Sequence, residues 1–288
     1  MIYVQHFGLR EPPFGITPDT SFFYACRSSQ EALNTLLVAL SNGEGFIKIT
    51  GEVGSGKTLL CRKFLATLDT GWVSAYIPNP NLEPRTLLLA MAEELSTPVE
   101  TGVDQHHLLR GINRTLLDLA RQHMRVVLCM DESQAMPLET LETVRLLTNL
   151  ETEKRKLLHV VLFGQPELDR KLACDSIRQL RQRITFQYRM GSLTESEVAA
   201  YVTHRLAVAG YAGPALLGAR ALVSLHCASR GVPRLVNILM HKAMLLVYGE
   251  GGSLVERRHM RAAIEDTPAA KPLGRSRWLR LIPMRAIE

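Results

Sequence analysis

Gly51-Glu52-Val53-Gly54-Ser55-Gly56-Lys57-Thr58 fills every fixed position of the pattern Gly-x-x-x-x-Gly-Lys-Ser/Thr, and its flanks supply the context that this pattern requires. The β-prone run Phe46-Ile47-Lys48-Ile49-Thr50 leads in, and Leu59-Leu60-Cys61-Arg62-Lys63-Phe64-Leu65 reads as the helix that leaves. Glycines at these spacings let the backbone wrap around phosphate oxygens, so that several N–H groups and a helix N-terminus face one anion. Gly51, Glu52, Val53, Gly54, Ser55, Gly56, Lys57, Thr58 and Leu59 are therefore the candidate nucleotide cradle. Lys57 is assigned to the β- and γ-phosphates and Thr58 to Mg2+.

Working outward, Ser28-Ser29-Gln30-Glu31 has capping-box spacing, and Leu33, Leu36, Leu37 and Leu40 repeat on one helical face until Gly43. Strand-like runs follow at residues 72–77, 126–130, 158–163 and 184–188, separated by helical periodicity over 87–95, 108–120 and 141–150. Strands that are apolar throughout and alternate with helices predict an α/β fold, a three-layer αβα sandwich on a parallel five-stranded sheet. From Leu193 onward the pattern is helical only. Thr194 and Glu197 have capping-box spacing ahead of Val198, Tyr201, Val202 and Leu206, and further helices fit 214–229, 233–248 and 256–265. The expected organisation is an α/β nucleotide-binding domain over 1–190 (with an N-terminal segment, 1–27), a small all-α lid over 191–267, and a basic tail over 268–288. That tail carries Lys271, Arg275, Arg277, Arg280 and Arg285 around Trp278, Leu279, Leu281 and Ile282. It reads as a frayed basic end, with a short amphipathic docking segment as the alternative.

With 288 residues, 46% hydrophobic and 22% charged, the chain has the composition of a soluble globular protein with ample length for a core. The net charge of +6 arises entirely after residue 190: residues 1–190 hold 21 basic and 21 acidic residues, and 191–288 hold 13 and 7. Such a balance suits nucleic acid, an anionic membrane surface or simple solubility alike. Cys26, Cys61, Cys129, Cys174 and Cys227 form no Cys-x-x-Cys pair and are expected to be mostly buried, reduced thiols rather than zinc ligands. The N-terminus lacks the basic-then-apolar order of a signal peptide, and no run approaches a membrane span, so any membrane association is expected to come through partners or the tail.

The chemistry-bearing residues cluster after the strands. Val126-Val127-Leu128-Cys129-Met130-Asp131-Glu132 delivers two carboxylates at the end of an apolar strand. Asp131 is placed to hold Mg2+, and Glu132 to polarise the water that attacks the γ-phosphate. Gln165, at the end of the next strand, would lie beside them if the strands are neighbours and would sense the γ-phosphate; the alternative is a turn glutamine. Arg178, Arg181 and Arg183 precede the last strand. Arg183 is the favoured candidate to cross a subunit boundary and stabilise transition-state charge on a neighbour's nucleotide, against the ordinary reading of a solvated helix face. Gly231-Val232-Pro233-Arg234 opens the third lid helix, with Arg234 as a further candidate for the γ-phosphate.

A P-loop, an Asp-Glu strand, a polar sensor, an arginine finger and a lid arginine in this order resemble the AAA+ ATPases over residues 46 to about 265. Tyr3 to Tyr24, with Phe7-Gly8-Leu9, Pro13-Phe14 and Thr17-Pro18-Asp19, is similar to the N-terminal signature of the ExeA/GspA family of secretion and pilus ATPases. So are Asn79-Pro80, Asp131-Glu132-Ser133-Gln134-Ala135, Gly164-Gln165-Pro166-Glu167-Leu168 and Gly231-Val232-Pro233-Arg234-Leu235-Val236-Asn237. Gly43-Glu44-Gly45-Phe46-Ile47-Lys48, Met240-His241-Lys242-Ala243, Tyr248-Gly249-Glu250-Gly251 and Ala263-Ile264-Glu265-Asp266-Thr267 most resemble the branch that serves the MSHA type IV pilus. The resemblance implies Mg2+-dependent ATP hydrolysis and adenine held between the segment around Phe14 to Asp19 and the lid. It further implies homo-oligomers with the finger acting in trans, and partners among pilus or secretion assembly proteins. The implied location is cytoplasmic, with peripheral attachment at the inner membrane as the variant. Full ExeA proteins continue into a membrane span and a peptidoglycan-binding domain; neither activity is expected of this sequence. Two departures stand out: the sensor is Gln165 where Asn, Ser or Thr is usual, and Ser133-Gln134 replaces Ala-Gln or Ala-His. The rival, not favoured, is a DNA-bound AAA+ regulator resembling the transposition ATPases, with the basic residues of 191–288 tracking phosphates.

Overall fold

The computed structural model describes residues 2–99, 102, 104–151 and 155–272. Arg275, Arg277, Trp278, Leu279, Arg280, Leu281, Ile282 and Arg285 of the expected tail lie outside the described residues. The chain forms two compact units, Thr17–Ser192 and a second made of Met1–Ile16 together with the chain from Leu193 on. The first sixteen residues, expected to belong to the α/β domain, thus pack with the helical region instead.

Along the α/β unit run α1 (Arg27–Ser41), β1 (Phe46–Gly51), α2 (Lys57–Thr67), β2 (Trp72–Ile77), α3 (Pro84–Glu94), α4 (Gln105–Arg121), β3 (Arg125–Met130), α5 (Leu138–Leu147), β4 (His159–Gly164), α6 (Glu167–Leu172), α7 (Arg178–Gln182) and β5 (Phe186–Met190). The sheet order is β2-β3-β4-β1-β5 and every pairing is parallel. Because side chains alternate along a strand, the central strands feed two separate apolar layers. Phe46, Val126, Leu128, Met130, Val160 and Leu162 join one core with α3, α4 and α5. Ile47, Ile49, Val127, Cys129, Val161 and Phe163 join the other with α1 and α2. All six residues of β1 are buried, including Lys48, whose ammonium is paired with Asp169.

Several expectations shift for local reasons. Ser28 does not cap α1. Cys26 takes the cap position without a side-chain bond, and the Ser28 hydroxyl accepts the Gly191 N–H at 2.8 Å. The last strand begins at Phe186 rather than 184, since the Ile184 N–H is still taken by the Arg181 carbonyl at 3.2 Å in the turn after α7. Helices α6 and α7, of 6 and 5 residues, are too short to show a periodic signal.

In the second unit lie α8 (Glu195–Val208), α9 (Ala219–Ser229), α10 (Pro233–Gly249) and α11 (Arg257–Glu265). The Thr194/Glu197 capping box is present in full. The second lid helix starts at Ala219 rather than 214, because Leu217 bridges to Val255 and Gly218 takes the cap. Tyr3, Phe7, Leu9 and Phe14 are buried in this unit, and the Tyr3 hydroxyl bonds His241 Nδ1 at 2.8 Å. Arg205, on α8 and only 6% exposed, donates to the carbonyls of Pro13 and Gly15, while Asn237 also donates to Gly15 and accepts from the Tyr201 hydroxyl. The tail begins in contact: Ala270 is buried and the Lys271 N–H donates to the Ala228 carbonyl at 2.9 Å. The cysteines are all free, but only Cys61 and Cys129 are buried; Cys174 and Cys227 are exposed, which corrects the expectation of mostly buried thiols. Among the described residues no helix is long and apolar enough to cross a membrane.

Candidate functional site

The loop from β1 to α2 needs its glycines. Gly54 (φ 79°) and Gly56 (φ 95°) are left-handed, and a Cβ on Gly51 would lie 2.7 Å from Ser55 Oγ. Gly56 caps α2 with no side-chain acceptor, so the first N–H groups of the helix are left for an anion. Lys57 is 5% exposed and donates to the carbonyls of Gly51 at 2.8 Å and Glu52 at 3.0 Å. Burial pulls its pKa below the ordinary lysine value, opposed by the carboxylates of Glu132, Asp131, Glu52 and Glu167. Ser55 Oγ is buried and has no hydrogen-bond partner among the described residues, which suits a cradle completed by a ligand's oxygens.

Asp131 continues the β3 alternation on the face where Val127 and Cys129 meet α2, and that placement brings it to Thr58. Thr58 Oγ1 donates to Asp131 Oδ2 at 2.5 Å, and Asp131 Oδ1 accepts the Glu132 N–H at 2.9 Å. Asp131 is 2% exposed, and burial raises its pKa, partly offset by the bonds from Thr58 and Glu132. One hydroxyl and one carboxylate, hard oxygen donors, fit Mg2+, which takes few protein ligands and fills the remainder with water and phosphate. Among the described residues no group of three His, Cys, Asp or Glu could hold a metal by itself.

Glu132 leaves the strand in a left-handed conformation, φ 49° and ψ 35°, which turns its side chain away from the alternation. Strands β3 and β4 are neighbours, with Met130 opposite Leu162, so the condition attached to Gln165 is met. Gln165 Nε2 donates to Glu132 Oε2 at 3.0 Å. The same oxygen accepts from Gln134 Nε2, while Gln134 Oε1 accepts the Gln165 N–H at 2.9 Å. Gln134 stands in the Asp131-Glu132-Ser133-Gln134-Ala135 segment that carries the family resemblance, and nothing local in that segment encodes its bond to Gln165, 31 residues on.

The structure therefore gathers Lys57, Thr58, Asp131, Glu132 and Gln165 in one place. Each candidate arginine has its own surroundings. Arg183 follows α7, half-buried, and donates to Thr148 Oγ1 at 3.0 Å; Arg178 and Arg181 are exposed. Arg234 is exposed in the first turn of α10, on the helical unit, behind Pro233.

Residues 40–172 match the family described as an AAA domain. General secretion pathway protein A of Aeromonas hydrophila is 42% identical over 258 residues, which cover 87% of this chain and 46% of that protein. The chain thus spans about half the length of this curated relative. Among solved structures, the Aeropyrum pernix ORC2 protein in its ADPNP-ADP complexes superposes with a TM-score of 0.65 at 15% identity, covering 89% of this chain and 73% of that one. Cdc6p from Pyrobaculum aerophilum gives 0.67 at 17% identity, covering 86% and 70%. The Thermotoga maritima RuvB Holliday junction branch migration motor gives 0.55 at 16% identity, covering 83% and 68%. At such identities the likeness shows the fold, the P-loop AAA fold with a helical C-terminal region, and nothing of partners.

Proposed function

We propose that this chain is an AAA+ ATPase of the ExeA/GspA family, hydrolysing ATP in support of secretion or pilus assembly. The observation that carries the reading is the Thr58–Asp131 bond at 2.5 Å, which ties the phosphate loop to the Asp-Glu strand in one polar pocket. In this reading the N–H groups of Gly54 to Thr58 and the Lys57 ammonium hold the phosphates, and Thr58 and Asp131 hold Mg2+. The bound ion would draw charge from the γ-phosphate. Glu132 orients and deprotonates the attacking water, and Gln165 keeps the Glu132 carboxylate facing the pocket. Adenine is assigned to the segment around Phe14 to Asp19 and the lid. Arg234 is assigned to the γ-phosphate of its own chain and Arg183 to that of a neighbour, so that turnover requires a homo-oligomer. For Arg183 this costs the Thr148 bond, about 1 kcal/mol for a neutral acceptor, which a charged phosphate would readily offset.

Within the family the chain is read as most like MshM, the ATPase of the MSHA type IV pilus, on the segments at 43–48, 240–243, 248–251 and 263–267. Its partners are then pilus or secretion assembly proteins at the inner membrane, and its place the cytoplasm, with peripheral attachment at that membrane as the variant. Two experiments test the reading. Lys57→Ala should abolish ATP binding while leaving the thermal midpoint of the nucleotide-free protein intact; tight binding by the variant would refute the cradle. Deleting the gene should remove MSHA-type pili, and wild type but not Lys57→Ala should restore them. Normal piliation of the deletion strain would remove the pilus assignment and leave the ATPase standing.

A further inference from the structure

We infer that Gln134 is the positioning residue that sets the orientation of Glu132 and couples it to Gln165. The inference rests on the proposed ATPase reading and concerns that same site. Its basis is a closed ring of hydrogen bonds whose polarity admits one solution. The Gln165 backbone N–H can only donate, so the Gln134 atom 2.9 Å from it must be the carbonyl oxygen. The amide nitrogen is then forced to the other end, where it meets Glu132 Oε2. Gln165 Nε2 reaches the same carboxylate oxygen at 3.0 Å and closes the ring. One side-chain amide therefore ties the end of β4 to the carboxylate that follows β3.

A further feature fits this role. Glu132 itself is a left-handed non-glycine residue, so its backbone does not hold the carboxylate in the direction set by the strand. Two amides converging on one oxygen supply the missing restraint. Any rearrangement of Gln165 against a γ-phosphate moves its N–H and side chain together. Gln134 passes the backbone part of that movement to Glu132.

The test uses the full chain with Mg2+ and ATP, comparing phosphate release with ATP affinity. Gln134→Ala should lower kcat by about 10- to 100-fold, the range found for groups that orient a reacting residue, with ATP Kd changed less than about threefold. Gln134→Glu keeps the shape and the bond from the Gln165 N–H but sets a carboxylate against Glu132. Its kcat should fall at least as far, and its activity relative to wild type should recover as pH falls and the introduced carboxyl takes up a proton able to donate. A role in folding alone would produce no such pH signature. Gln134→Ala and Gln165→Ala should be non-additive in kcat. A Gln134→Ala kcat within about threefold of wild type, while Glu132→Gln is inactive, overturns the inference and leaves the ATPase reading intact. Wild type and Glu132→Gln turning over alike overturns both.

Discussion

Asp131 shows how one buried carboxylate links function to stability. Burial is the largest influence on it and raises its pKa, so the folded, nucleotide-free protein holds the proton longer than the unfolded chain does. Above the ordinary carboxylate value near 4, folding is then disfavoured progressively until the folded-state pKa is passed, and the full cost remains at neutral pH. Asp131→Asn should therefore raise the thermal midpoint of the nucleotide-free protein at pH 7. The gain should shrink as pH falls toward 4. The amide can still accept from Glu132 N–H and meet the Thr58 hydroxyl, so the effect isolates the charge. The same substitution should remove Mg2+-dependent turnover. A lower midpoint at pH 7 would show that the carboxylate is not strained by its burial.

At the scale of elements, the α9–α10 turn is fixed by close backbone approach. Gly231 is left-handed at φ 69°, its carbonyl accepts the Leu193 N–H at 2.9 Å, and a Cβ would lie 2.0 Å from the Leu193 carbonyl oxygen. Gly231→Ala should destabilise the helical unit by about 2–5 kcal/mol, combining a left-handed non-glycine residue with an overpacked contact, as read by denaturant unfolding. In the same unit, Arg205→Leu should cost about 2–4 kcal/mol through lost charge-assisted bonds to Pro13 and Gly15. It should also speed proteolysis near residue 15. These two positions show where the sequence was legible. Gly231 stood in a motif, and β3 and β4 were plain because they are buried on both faces and read as unbroken apolar runs. Strand β5, at the sheet edge with Gln187 and Arg189 exposed, is amphipathic, and its start was misplaced by two residues. Arg205 resembles any surface arginine of a helix. Its burial depends on a carbonyl 192 residues away, and nothing local in the sequence encodes that.

For the whole molecule, the loop and the Asp-Glu strand were legible as a site because both halves come from contiguous motifs carried by strands of one sheet. The bridge from Gln134 to Gln165 and the packing of the N-terminal segment with the helical unit were not, since each depends on contacts between segments apart in the chain. The proposed trans arginine belongs to this scale too. Specific phosphate release should rise with protein concentration. Mixing Glu132→Gln, which keeps the finger, with Arg183→Ala, which keeps a complete pocket, should restore activity that neither has alone. Activity unaltered in Arg183→Ala, but lost in Arg181→Ala or Arg178→Ala, would move the finger to an exposed neighbour. The most direct test of the central claim is phosphate release by Glu132→Gln measured beside its ATP affinity. The account predicts wild-type affinity with turnover reduced by about 100-fold or more, as expected for loss of a general base. Substantial turnover by that variant would contradict it.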